Sequence, residues 1–146
     1  MSMDLWGFKN AGELENNASE LPDAILKEQI DLLGEKTNHV LCGKPMFLKI
    51  HSDGAEFRAA TIFNVVVLAL DDYTKTILII YSNPEEEYPI AITVGDDIAE
   101  DRDGFHPKYR CGNKDDFIRS IKEILGSEDT MKTVQMLYSK AAVLVK

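Results

Sequence analysis

The sequence predicts an α+β fold: an N-terminal helix, a four-stranded, mainly antiparallel sheet, and two C-terminal helices packed on the sheet. Apolar residues recur at helical spacing over 22–38 and after residue 113, whereas the stretch between them alternates with a period of two. Short turn signals separate the strands. Helices that are segregated in sequence from the strands are typical of α+β proteins and not of doubly wound folds.

The first predicted helix begins at Pro22, because proline is favoured in the first helical turn. Leu26, Ile30 and Leu33 follow at spacings of four and three residues, which makes one apolar stripe. Thr37 and Asn38 close the helix.

Four segments of alternating or continuous apolar character predict the strands, over residues 39–50, 56–70, 76–81 and 88–94. Pro45 lacks the N–H that a sheet ladder uses, so the first strand is predicted to lie at an edge or to be interrupted. The second strand is apolar on both faces in its second half, which predicts a central strand covered on both sides. The segment Gly95–Gly112 has no apolar period and is predicted to be a long loop.

Capping residues predict the two C-terminal helices. Asn113 is suited to the N-cap of the first, Gly126 ends it, and Ser127 caps the second. The apolar stripes of these helices are Phe117, Ile121, Ile124 and Leu125, then Val134, Leu137, Tyr138 and Ala141.

Length and composition indicate one globular domain of 146 residues, 45 % hydrophobic and 28 % charged. Residues 1–20 are predicted to be a flexible N-terminal tail and residues 21–146 a single α+β domain. No apolar run reaches the ~20 residues of a membrane helix, and the N-terminus shows no secretory signal. We therefore expect a cytoplasmic protein with no membrane partner, whose Cys42 and Cys111 are free thiols.

The net charge of −9 is concentrated in one segment. Residues 85–103 hold one base and eight acids, namely Glu85, Glu86, Glu87, Asp96, Asp97, Glu100, Asp101 and Asp103. A negative field repels phosphate backbones, so we expect no nucleic-acid partner. Acidic surfaces steer cationic partners, and these eight residues are predicted to bind a basic protein.

Motifs of catalysis and metal binding are weak in this sequence. An EF-hand loop with Gly104 at its sixth position needs acids at positions 99, 101, 103 and 110, and two of the four are not acidic. His39, His51 and His106 have no spacing typical of a zinc site. A nucleophile elbow and a glycine-rich phosphate loop are both missing. We predict no cofactor, no metal site and no catalytic residue.

Three groups of segments carry a resemblance to known proteins: Leu26–Gln29 with Leu33 and Lys36–Thr37, then Tyr88–Ile90, then Asp116–Phe117 with Ile124–Ser127 and Thr130. Over residues 22–140 this arrangement resembles a group of uncharacterised small bacterial proteins. The resemblance implies no activity and carries no functional residue. Some small bacterial proteins of this type are immunity proteins, which neutralise a toxin encoded at a neighbouring locus.

Three functional hypotheses follow from these observations. The leading one is a non-enzymatic protein-binding module, such as an immunity-type inhibitor, that meets a basic partner through the acidic segment. The first alternative is a metal-dependent hydrolase that uses Asp101, Asp103 and His106. The second is a homodimeric structural protein whose contact is the apolar edge of the sheet or the pair Trp6 and Phe8.

Overall fold

The computed structural model describes residues 3–14, 21–51, 54–95, 100–101 and 104–144. Over these residues the chain is α+β. Its helices are α1 (Pro22–Lys36), α2 (Lys114–Leu125) and α3 (Glu128–Leu144). Its strands are β1 (Cys42–Lys49), β2 (Ala59–Val67), β3 (Tyr73–Ser82), β4 (Ile90–Val94), β5 (Glu100–Asp101), β6 (Gly104–Phe105) and β7 (Tyr109–Cys111). Short 3-10 helices lie at Ala11–Glu13 and Leu68–Leu70.

Five strands make one antiparallel sheet in the order β1-β2-β3-β4-β7. Among the described residues, the small strands β5 and β6 form a separate two-stranded sheet. The α+β class and the antiparallel sheet are therefore confirmed. The order also confirms the expectation drawn from Pro45, because β1 lies at an edge.

The prediction of four strands is wrong by one. The fifth strand, β7, lies inside Gly95–Gly112, which was predicted to be a loop, and so do β5 and β6. Three residues are too few to show a period of two, so β7 leaves no alternation in the sequence. It pairs because β4 offers a free edge, where Ile90 opposes Cys111 and Ile92 opposes Tyr109.

The sheet has one face covered by the helices, which we call the covered face, and an opposite open face. Along β2, every second residue from Ala59 to Val67 is buried on the covered face. One apolar core joins Phe63, Val65 and Val67 of β2 to Leu78, Ile80, Ile90 and Ile92 of the sheet and to Leu26, Ile30, Phe117, Ile121, Ile124, Leu137 and Ala141 of the helices. The predicted packing of helices on the sheet is confirmed.

The expectation that β2 is covered on both sides is wrong. Its open-face residues Ile62 and Val66 are only half-buried. They oppose Met46 and Cys42 of β1. The apolar alternation predicted for β1 is therefore present, but its apolar side chains lie on the open face, away from the helices. A period of two identifies the two faces of a strand without saying which of them is covered.

Side-chain caps fix the helix ends. Asn113 Oδ1 accepts a hydrogen bond of 2.8 Å from the N–H of Asp116, and Ser127 Oγ accepts one of 3.2 Å from Thr130. Each such cap stabilises a helix by about 1 kcal/mol. At the end of α1, Thr37 Oγ1 accepts from the N–H of Leu41 at 3.2 Å, which ties the helix to the entry of β1. None of the described helices is long and apolar enough to cross a membrane.

Candidate functional site

The edge strand β1 exposes three consecutive large apolar side chains. Met46, Phe47 and Leu48 are 45, 59 and 44 % exposed. Natural sheets usually protect an edge with charges, proline or a covering element, because an open edge can pair with another chain. Exposed apolar surface is typical of interaction sites. We call the strand from Gly43 to Lys49 with its outward backbone groups the β1 edge.

The hydrogen-bond phase of β1 shows which backbone groups the β1 edge presents. The N–H of Ile50 donates to the carbonyl of Arg58 at 2.8 Å, in continuation of the register between β1 and β2. Because bonded pairs alternate along an antiparallel ladder, the even-numbered residues of β1 bond to β2. The odd-numbered residues point their backbone groups outward, and these are Gly43, Pro45, Phe47 and Lys49.

Pro45 occupies one of these outward positions, so its missing N–H removes no bond to β2. The outward groups are therefore the N–H groups of Gly43, Phe47 and Lys49 and all four carbonyls. Pro45 and the lysines of β1 protect the edge in part, since proline and lysine disfavour strand addition. The three remaining donors leave the edge competent to pair.

A groove of about 460 Å³ runs between α1 and β1 on the covered side of the edge. Leu26 and Ile30 of the helix face Pro45 and Phe47 of the strand across it, and Thr61 lines it as well. Its rim carries the remaining polar residues Asp23, Lys27 and Asp31, of which Lys27 and Asp31 form an ion pair of 3.1 Å.

Gly43 sets how closely α1 approaches β1. A Cβ at this position would lie 2.7 Å from Cγ2 of Ile30, which is closer than two carbon atoms can pack. The absence of a side chain at Gly43 therefore allows α1 to pack close to β1 beside the groove.

A second depression, of about 350 Å³, lies on the open side of the β1 edge. Met46 and Val66 line it together with Lys44, Pro45, Asn64, Leu68, Asp72 and Thr74. Thr76 Oγ1 donates a hydrogen bond of 2.7 Å to Oδ1 of Asn64, one of the lining residues. The β1 edge is thus flanked by a depression on each face of the sheet.

The rest of the open face is sealed by aromatic rings. The Phe105 ring lies 5.6 Å from Phe57 and 5.1 Å from Tyr81, the latter in an edge-on arrangement. The Arg110 guanidinium lies 5.5 Å from the Phe105 centroid and bonds both carboxylate oxygens of Glu56 at 2.8 Å. This cover leaves Ala91 of β4 fully buried, so the exposed part of the open face lies beside β1.

The opposite edge, β7, is tied to α2. Cys111 is 1 % exposed, and its Sγ lies 3.5 Å from Oγ of Ser120 in α2. Burial raises the pKa of the Cys111 thiol, the Asp116 charge raises it further, and the Ser120 hydrogen bond acts in the opposite direction. Burial, and then the charge and hydrogen bond of Glu123 in α2, raise the pKa of Tyr109.

The eight acids predicted to bind a partner are only partly described. Glu85, Glu86 and Glu87 lie in the turn between β3 and β4 and are exposed. Asp96, Asp97 and Asp103 lie outside the described residues, and for Glu100 and Asp101 only the backbone of β5 is described. The described chain leaves β4 at Val94, at the end of β4 opposite to the turn that holds Glu85–Glu87. A shared acidic surface stays a prediction.

The other sequence-derived candidates have mixed outcomes. Among the described residues, no group of three or more His, Cys, Asp or Glu side chains is placed to hold a metal ion. His106 is exposed, whereas Asp103 lies outside the described chain, so the hydrolase hypothesis stays a prediction. Trp6 is 78 % exposed, and its ring packs 5.8 Å from that of Phe8. The predicted division into a flexible tail and a domain also stays a prediction.

The sequence contained the signal for this site in its apolar Met46–Leu48 run directly after Pro45. A proline indicates that a strand lies at the edge of a sheet. Apolar residues that follow it on both faces of the strand indicate that this edge has an apolar surface. The hypothesis of an apolar sheet edge used this signal only in part, because it named no apolar residue of the edge.

Comparisons of the chain with protein families, curated proteins and solved structures give no significant match. The resemblance to small bacterial proteins stays a prediction.

Proposed function

We propose that this chain is a protein-binding module that accepts a partner strand along the β1 edge. The observation that carries the proposal is the exposure of Met46, Phe47 and Leu48 on an edge strand with outward backbone donors. Burial of apolar surface of this kind drives most protein association.

Strand addition accounts for the presence of a depression on each face of the sheet beside the β1 edge. In this mode the main-chain hydrogen bonds supply affinity, and pockets for alternate side chains supply specificity. Side chains of an added strand alternate between the faces of the sheet. One set would enter the groove between α1 and β1, and the other set the depression beside Met46 and Val66.

The rim charges suit a partner with a basic residue on the covered side. Asp23 and Asp31 face the groove there, and Lys27 already pairs with Asp31. The rim of the groove therefore has one more carboxylate than it has basic side chains. We therefore keep the hypothesis of a basic partner, but we propose that the partner contacts the β1 edge and not the acidic segment.

The acidic segment remains a second, separate candidate surface for binding a basic protein. Its described part, Glu85–Glu87, lies in the turn after β3, and β3 is two strands from β1. At the usual strand spacing this is about 10 Å across the sheet. The two surfaces can therefore be probed at separate positions.

Site-specific photo-crosslinking in the full chain separates the two surfaces. A benzophenone amino acid is placed at position 47 in one variant and at position 86 in a matched control, since both positions are exposed. Both variants are irradiated in the producing cells and the adducts are identified by mass spectrometry. Each is repeated with Lys49→Pro, which removes an outward N–H without breaking a bond to β2.

The proposal predicts adducts at position 47 that disappear when Lys49→Pro is added, and no adducts at position 86. Adducts at position 86 alone would overturn the edge as the contact and favour the acidic segment. The absence of adducts at both positions would overturn protein binding by either surface.

A further inference from the structure

We infer that the strand added to the β1 edge is β1 of a second copy of this chain, antiparallel and related by a two-fold axis at Met46. The inference rests on the proposed function and names its partner. A two-fold interface requires a surface that is complementary to itself, and the β1 edge meets this requirement in its backbone, its apolar residues and its charges.

The backbone pairing follows from the hydrogen-bond phase. With the axis at Met46, Gly43 opposes Lys49 of the second copy, and Pro45 opposes its Phe47. All four of these are outward positions, so the pairs are of the bonded type. Such pairs exchange two bonds each, and only the two donors missing at Pro45 are lost. Six of the eight bonds are formed along the whole length of the edge.

The apolar residues meet at the axis. Met46 faces Met46 of the second copy on the open face, and each Phe47 lies above the Pro45 that it opposes on the covered face. These side chains, with Leu48, are the ones that the single chain leaves exposed. Methionine is flexible enough to pack against its own symmetry mate.

The charges are complementary in the same arrangement. Lys49 lies on the covered face opposite Gly43 of the second copy, whose neighbouring groove is lined by Asp23 and Asp31. Each copy thus offers one lysine to the carboxylates of the other. Lys44 opposes Leu48, so no lysine faces a lysine across the axis. An axis at Lys44 or at Lys49 would place like charges directly opposite, which is destabilising.

The small size of the contact indicates a weak association. An interface confined to one edge strand and its flanks falls at the low end of specific interfaces, about 1,200 Å² in total. We expect a dissociation constant in the range of about 1 μM to 1 mM, which is the range of weak and transient contacts. Monomer and dimer should therefore exchange at accessible concentrations.

Disulfide formation across the axis tests the register. Met46→Cys and Leu48→Cys are made in the full chain with Cys42→Ser, while Cys111 stays in place because it is buried. The two positions share a strand and a face and are 45 and 44 % exposed, so they are matched controls. The directly opposed Cα atoms at position 46 would be about 4.5 Å apart, which a disulfide can bridge. Those at position 48 would be about 13 Å apart along the strands.

After mild oxidation, we expect at least about tenfold more covalent dimer from Met46→Cys than from Leu48→Cys, because a disulfide cannot span the longer distance. Lys49→Pro should suppress the difference. Sedimentation of the unaltered chain should show its mass rising from 16.4 kDa toward twice that value with concentration. Equal yields from the two variants, or more dimer from Leu48→Cys, would overturn the inference.

Failure of this inference is distinguishable from failure of the proposed function. A chain that stays monomeric in sedimentation but gives edge-dependent photo-adducts with a different protein at position 47 would overturn the second copy as partner and support strand addition. A monomeric chain without adducts at position 47 would overturn both.

Discussion

The two edges of the five-stranded sheet differ in almost every property. β1 has eight residues, most of them exposed, and presents a run of apolar side chains. β7 has three residues, and its Cys111 is buried against α2. Cys111 of β7 thus packs against a helix, whereas most residues of β1 are exposed, and β1 is the edge at which we look for a partner.

The connections along the chain explain this difference. α2 begins three residues after β7 ends, with Asn113 as its N-cap, so the helix folds directly over the strand that precedes it. α1 is joined to β1 through a turn in which Asn38 and His39 have positive φ angles, and it packs over the covered face beside Gly43. That position leaves the outward backbone groups of β1 uncovered.

The largest expected contrast between the two edges comes from a matched pair of phenylalanines. Phe117, behind β7, is fully buried, whereas Phe47 is 59 % exposed. Phe117→Ala should lower the free energy of unfolding by about 3–5 kcal/mol, because it opens a cavity in the core. Phe47→Ala should change it by less than about 0.5 kcal/mol in dilute solution, as surface substitutions do. Denaturant unfolding at low protein concentration measures both, and equal effects would contradict the contrast.

Proline substitutions at adjacent positions test the assigned hydrogen-bond phase of β1. Leu48→Pro removes an N–H that bonds to β2 and leaves the carbonyl it bonded without a partner, so it should destabilise the chain by about 1–3 kcal/mol. Lys49→Pro removes an outward N–H and should leave the thermal midpoint within a few degrees while it weakens association. Thermal unfolding followed by circular dichroism gives the comparison. If Lys49→Pro proves the more destabilising, the phase is inverted and the outward donors are misassigned.

Gly43→Ala tests whether the close packing of α1 against β1 depends on the absence of a side chain at position 43. The added Cβ meets Ile30 at 2.7 Å, and overpacking of this kind typically costs about 1–3 kcal/mol. Gly112→Ala is a suitable control, since a Cβ there has no neighbour within 4 Å. The first variant should lose stability in denaturant unfolding and the second should lose little. The same loss in both would show that the contact with Ile30 is not the cause.

The smallest expected effect is a pH dependence of stability that arises from Cys111 in the edge strand β7. The pKa of Cys111 is raised above its ordinary value of 9.0 in the folded chain, so above that pH the unfolded chain holds fewer protons. Stability is then fully present below pH 9 and falls as the pH rises further. Cys111→Ala should flatten this slope in unfolding curves measured between pH 8 and 10. An unchanged slope would contradict a raised thiol pKa.

The sequence predicted the elements better than it predicted their exposure. Asn113, Ser127 and the apolar stripes located the C-terminal helices, because caps and helical periods act over a few residues. The strand β7 was missed, since three residues carry no period and their pairing with β4 depends on distant chain segments. Which face of β1 the helices cover is also decided by packing between distant segments, so alternation alone could not show that Met46 and Leu48 lie on the open face.

The candidate site could be predicted in part. Pro45 placed β1 at an edge, because the loss of an N–H is a local fact with a direct consequence for the ladder. The acidic residues were chosen by counting charges, which does not depend on where the chain places them. Glu85–Glu87 are exposed in their turn, yet exposure is the ordinary state of glutamate. The exposure of Met46, Phe47 and Leu48 follows from their position on an uncovered edge strand, and only the fold reveals that position.

Amide hydrogen exchange of β1, measured by NMR from micromolar to millimolar protein, tests most directly whether its edge is a strand-pairing surface. The amides of Met46 and Leu48 should be protected at every concentration, because they bond to β2. Those of Phe47 and Lys49 should exchange fast when dilute and slow as the concentration rises and the second copy binds. Fast exchange of Phe47 and Lys49 at all concentrations, with Met46 and Leu48 protected, would contradict self-pairing of the edge.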